Sequence, residues 1–205
     1  MAYGDIINSP NSYRAPGRAG VQTVRKAVLL KDSGTEIGSD GVNYLNDLKT
    51  LEQLGASDAG GVTASTSVTK AILHNSAGIY VGTAGNIMVG FSGNKDVIES
   101  GTATGGVTNK LAHDNATFTK TVQLRDLVVN TTDDTVAFVG AVDSDTRLSL
   151  VTVANVAVDI MATSEVYEIH RPIVFQNVAA GSFLPIEVSR IYNTGTTADD
   201  IMAIY

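Results

Sequence analysis

The chain has 205 residues, a formal net charge of −7, 43% hydrophobic and 17% charged residues, 20 glycines, and neither cysteine nor tryptophan. The lack of cysteine excludes disulfides, thiolate metal sites and cysteine nucleophiles, and the acidic balance argues against nucleic acid as the main partner, since phosphate binding needs clustered positive charge. No apolar run is long enough for a membrane-spanning helix, and Met1-Ala2-Tyr3-Gly4-Asp5 lacks the layout of a signal peptide, so neither a membrane partner nor a targeting leader is expected.

Low charge with abundant Thr, Val, Ala, Gly and Asn is a sheet-and-turn composition. The length allows one domain with a sizeable core, or a smaller domain carrying an arm. Residues 1–26 differ from the remainder. They hold Arg14, Arg18, Arg25 and Lys26 against the single acid Asp5, with two of the four prolines, Pro10 and Pro16. Such a stretch reads as extended and without regular structure of its own. Composition alone also fits a solvated tail. Its basic sign, opposite to that of the body, favours a strap laid on a neighbouring subunit, with Tyr3, Ile6, Ile7 and Tyr13 as anchors. An arm of this length buries on the order of 1,000 Å² against a neighbour.

A short strand is expected at 24–30 and a turn at Lys31-Asp32-Ser33-Gly34. The one convincing helix spans 43–54, where Leu45, Leu48, Leu51 and Leu54 make an apolar stripe, Asp40 or Asn43 caps the start and Gly55 stops the end. The stripe either covers one end of the β body or packs on a partner. Residues 56–67 are small and polar and mark a linker. Three parts follow: a basic arm at 1–26, a strand–helix–linker segment at 27–67, and a β body at 68–205 with an inserted region at about 93–168.

The body opens with strands at 68–73 and 78–81. Gly82-Thr83-Ala84-Gly85-Asn86 then reads as a tight hairpin turn into 87–91, with glycine supplying positive φ. Residues 92–116 are rich in Gly, Thr and Asn and read as an exposed loop. Strands are expected at 117–124, where Phe118, Lys120, Val122 and Leu124 would share a face, then at 135–142, 148–153, 156–162 and 165–169, with polar turns at 131–134 and 143–145. The C-terminal stretch from Arg171 holds three β-rich runs and reads as an antiparallel meander. In its middle run Ile186, Val188 and Arg190 alternate with Glu187, Ser189 and Ile191. Arg190 and Glu187 read as surface or interface charges, Asp199-Asp200 as a turn, and Ile201–Tyr205 as a buried closing strand. The fold class is mainly β: an antiparallel sandwich or barrel with an extended N-terminal arm and one short helix.

No catalytic constellation is visible. His74, His113 and His170 have no ligand spacing and read as ordinary surface or strand-end residues. Asp143-Ser144-Asp145 starts like a calcium loop, but Leu148 and Ala154 stand where such a loop needs Gly and Glu. The glycine-rich 81–86 stretch leads into a strand and lacks a following Lys-Ser/Thr, so it does not read as a phosphate cradle. Asn115 and Asn130 match the glycosylation pattern, with no sign of a pathway that would use it. The expectation is a protein with no enzyme activity, metal or cofactor.

Two segments carry a family pattern. Tyr80-Val81-Gly82-Thr83-Ala84-Gly85-Asn86-Ile87 resembles the YVGTAGxV hairpin of small virion proteins from tailed bacteriophages and gene transfer agents, of the head-spike-base or head-decoration type. The stretch from Val174 to Tyr205, including Asn177-Val178-Ala179-Ala180-Gly181 and Thr194-Gly195-Thr196-Thr197-Ala198, is similar to that family's ending. Ala179 stands where the family has Pro. The region near 93–168 replaces what is a turn in short members, and the arm and helix have no counterpart. The resemblance implies a capsid cement or decoration protein on the virion surface that binds the major capsid protein as a homo-oligomer, with a trimer at local threefold axes. A head-spike base, a neck or tail component, or a receptor- or glycan-binding module using the 92–116 loop are the other readings. The candidate interface comprises Tyr3, Ile6, Ile7, Tyr13, Arg14, Arg18 and Arg25 of the arm and Leu45, Leu48 and Leu51 of the helix.

Overall fold

A computed structural model describes residues 27–33, 45, 47, 48, 51, 76–91 and 97–204. The protein is mainly β, with three antiparallel sheets and a sandwich-like, unclosed arrangement. The strands are β1 (Ala27–Lys31), β2 (Gly78–Thr83), β3 (Gly85–Phe91), β4 (Val97–Thr102), β5 (Gly105–Val107), β6 (Lys110–Ala112), β7 (Leu127–Asn130), β8 (Thr135–Ser144), β9 (Arg147–Val151), β10 (Val166–His170), β11 (Ile173–Val178), β12 (Ser182–Leu184), β13 (Val188–Ile191) and β14 (Asp199–Ile204), with a helical turn α1 (Phe118–Thr121) before β7.

The sheets stack in three layers. A four-stranded sheet, β1-β14-β2-β12, faces a three-stranded sheet, β11-β3-β13, over a core of Ile79, Val81, Ile87, Val89, Val188 and Ile201. On β3 the neighbouring residue Met88 points the other way. It meets Tyr192 and, from the seven-stranded sheet β4-β10-β7-β8-β9-β6-β5, Leu127, Val129 and Phe138. The far face of that large sheet carries a third core, in which Val128, Ala137, Val139, Leu150 and Tyr167 of its strands pack beneath Phe118 and Met161. Strict alternation along β7 and β8 therefore feeds two cores at once, which is why Leu127-Val128-Val129 is an unbroken apolar run. Among the described residues no sheet is closed on itself, and each has two edge strands.

Several expectations are corrected. The C-terminal runs do not pair with one another. β11 and β13 flank β3, whereas β12 and β14 flank β2. Nor is 82–86 a tight hairpin, because β2 and β3 belong to different sheets and the chain turns a corner between them. Gly85 is needed for proximity and not for positive φ: a Cβ there would lie 2.4 Å from the Ala198 backbone nitrogen. Among the described residues the positive-φ glycines are Gly181 and Gly195. β1 joins the sandwich by pairing with β14. Asp199 and Asp200 begin β14 and make no turn.

The inserted stretch also differs in detail. Residues 97–112 form β4, β5 and β6 where a loop was expected, and 156–162 is not a strand beyond one bridge from Ala157 to Val151. Instead it lays Met161, with Val158 and Ile160, over the outer core. The expected strand at 117–124 begins with α1. Phe118 and Val122 are buried while Leu124 is 64% exposed, a four-residue spacing that suits a helical turn.

Candidate interaction surface

Residues 80–87 and the C-terminal stretch 174–204 interlock. Thr196 and Thr197 accept hydrogen bonds through Oγ1 from the backbone nitrogens of Met88 (3.0 Å) and Asn86 (2.9 Å), and the Thr197 and Ala198 nitrogens donate to the Asn86 carbonyl at 2.9 and 3.1 Å. Gly195, at φ +86, sits where a Cβ would press on the Met88 sulfur at 2.9 Å. The Gly181 nitrogen donates to the Val81 carbonyl at 2.8 Å. Asp200 accepts from the Thr83 hydroxyl and, at 3.1 Å, from the Ser33 nitrogen, which holds its carboxyl below the usual carboxylate range. Lys31 closes the same corner by donating to the Ala198 carbonyl at 2.9 Å and pairing with Asp199 at 3.0 Å.

Of the candidate interface, Tyr3, Ile6, Ile7, Tyr13, Arg14, Arg18 and Arg25 lie outside the described residues. From the expected helix, Leu45 (8% exposed) and Leu51 (1%) belong to the sandwich core, and Leu48 packs against the interlayer core. These leucines are spent on the chain's own body. Asp47 between them accepts from Thr194 through both its nitrogen and its hydroxyl at 2.9 Å. Its carbonyl takes the Arg190 guanidinium at 2.9 Å. Arg190 is correspondingly buried, not a surface charge, and lies 5.6 Å from the Tyr192 ring centre.

His170 is likewise no strand-end surface residue. It is fully buried in the interlayer region, with Nε2 3.2 Å from Glu168 and Nδ1 3.3 Å from the Tyr192 hydroxyl. Burial, with the nearby Arg190 charge, pushes its pKa down to about 3. His113 is partly buried and shares a 2.7 Å hydrogen bond with the Tyr167 hydroxyl, while His74 lies outside the described residues. Among the described residues no group of His, Asp and Glu is arranged to hold a metal ion. The carboxylates of the calcium-like turn are committed elsewhere: Asp143 to Lys110 at 2.7 Å and to Ser149, and Asp145 to Thr119. Asn130 is buried and its amide donates to Ile160 and Glu165, so it offers no glycan acceptor.

The feature that sequence reasoning missed is a groove of about 500 Å³ where the middle and large sheets meet. One wall is the exposed face of β11, preceded by Pro172; the other is the Gln123–Asp126 turn after α1. That turn is rigidly built. Asp126 accepts from the Gln123 nitrogen at 2.7 Å and holds Arg171 in a two-pronged pair at 3.0 and 2.8 Å, and Arg171 also reaches the Thr121 carbonyl at 2.8 Å. Arg125 stands at φ +71, its nitrogen bonded to the Val139 carbonyl at 2.9 Å and its guanidinium 4.4 Å from the Phe138 ring centre. The only signal in the sequence was the dipeptide Leu124-Arg125 directly before a buried strand.

No family model matches the chain, and no curated protein or solved structure is similar to it.

Proposed function

We propose that the protein is a non-enzymatic structural component of a phage virion: a capsid cement or decoration protein that binds the major capsid protein and stabilises the shell. The observation that carries this reading is the interlock between the two family-like segments. Residues 80–87 and 174–204, far apart in sequence, supply most of one two-sheet sandwich, and the glycines and threonines of the quoted patterns make its closest contacts. Small side chains at Gly85 and Ala198 and hydroxyls at Thr196 and Thr197 are what that corner requires, so the resemblance concerns residues that build one compact unit. Residues 97–170 add a third sheet to that unit.

A shell component has to present wide, chemically inert surface and resist unfolding when neighbours are absent. A three-layer stack with three buried apolar cores fits that requirement. Mixing the purified chain with particles assembled without it tests the proposal. It should co-sediment at a saturating, symmetry-related stoichiometry and raise the temperature at which the heads rupture. Particles that neither bind the chain nor gain stability would rule the reading out. A head-spike-base, neck or tail role is the second reading, resting on the same resemblance, and would give binding at a few copies per particle.

A further inference from the structure

Of the eight large hydrophobic side chains exposed among the described residues, four border one groove: Leu124 (64% exposed), Val153 (58%), Ile173 (42%) and Val174 (44%). β11 is an edge strand, paired on one side to β3, and no described strand lies on its other side. An edge with apolar side chains invites pairing with another chain unless it is blunted. Opposite it, Leu124 and Arg125 are presented by a turn that is braced by the pair of buried Asp126 with half-exposed Arg171 and holds a non-glycine residue in the left-handed region. Arg125 is exposed and has no carboxylate partner among the described residues, although the chain as a whole carries −7.

We propose that this groove is a docking site for an extended segment of a partner protein. The segment adds a strand to β11, sets apolar side chains against Leu124, Val153 and Val174, and pairs a carboxylate with Arg125. Charge decides the occupant. The chain's own basic stretch, with Arg14, Arg18, Arg25 and Lys26 against Asp5, has the wrong sign for Arg125, whereas an apolar segment bearing Asp or Glu satisfies both walls. Arg is among the residue types that dominate binding energy at interfaces. This assignment does not rest on the virion reading.

The test uses the full chain and a fluorescein-labelled peptide alternating valine and glutamate, with a valine–lysine peptide as its control. Saturable anisotropy is expected for the glutamate peptide only. Leu124→Asp, at a mostly exposed position, should weaken binding about tenfold. Arg125→Glu should exchange the preference, so that the lysine peptide binds and the glutamate peptide does not. Unfolding temperatures of both variants show that the fold is retained. Absence of saturable binding, or a preference unmoved by Arg125→Glu, overturns the proposal. So does sedimentation of the wild type as a dimer that Arg125→Glu dissolves, since the occupant is then a second copy. Particle co-sedimentation reads a different event, so failure here leaves the shell-binding proposal standing or falling by itself.

Discussion

The sandwich and the seven-stranded layer are both antiparallel, yet they are assembled in opposite ways. The sandwich draws its strands from three distant stretches, 27–31, 78–91 and 173–204, and every pairing inside it spans a large part of the chain. The large sheet is made within residues 97–170, and three of its six pairings, β5–β6, β7–β8 and β8–β9, join neighbours by short turns. Non-local pairing has to overcome loop-closure entropy before it is rewarded. The large sheet is therefore the part equipped to form first, and the sandwich the part that depends on chain ends meeting.

Ile201→Asp would break this comparison most severely. Ile201 is fully buried between the two sandwich sheets, and an unpaired carboxylate there costs more than about 4 kcal/mol. Hydrogen exchange should show the amides of β2, β3 and β14 losing protection while those of β7–β9 keep theirs. Loss of both sets together would show that the large sheet has no stability apart from the sandwich. Phe138→Ala acts at the seam. Phe138 is 3% exposed in the interlayer core, so truncation should cost about 3–5 kcal/mol and split one denaturant transition into two.

Gly85→Ala is confined to the sandwich corner. The added methyl must displace the Ala198 backbone, and a loss of about 1–3 kcal/mol in chemical denaturation is expected. The smallest effect reads the seam through pH. His170 is neutral when folded, with its pKa lowered to about 3 from an ordinary 6.5. Its contribution is therefore present above pH 6.5 and is lost as pH falls towards 3, where the unfolded chain gains a proton that the folded chain refuses. In urea titrations across that window, His170→Gln should lose less stability on acidification than the wild type.

What the sequence revealed differs between the two regions for the same reason. Strand positions at 78–81, 87–91, 135–142 and 166–169 were legible from β-branched runs, because local pattern reports local burial. Partnership was not. Nothing in the runs at 173–178, 188–191 and 199–204 says that each pairs with the β2–β3 segment and not with the next run along. At 118–124 a period of two and a spacing of four both fit Phe118 and Val122, and the exposure of Lys120 and Leu124 separates them. The Gly- and Thr-rich 97–112 stretch hid its strands because glycine serves close approach there: a Cβ on Gly101 would lie 2.6 Å from the His113 ring. The groove was illegible for the reason that the meander was misread, since its walls come from residues brought together by pairing alone.

The most direct measurement is a reconstruction of an intact particle produced with this chain. The account predicts the three-layer density in many symmetry-related copies on the outer surface of the head, in contact with the major capsid protein. Its absence from the head, or its confinement to the neck or tail, would contradict it.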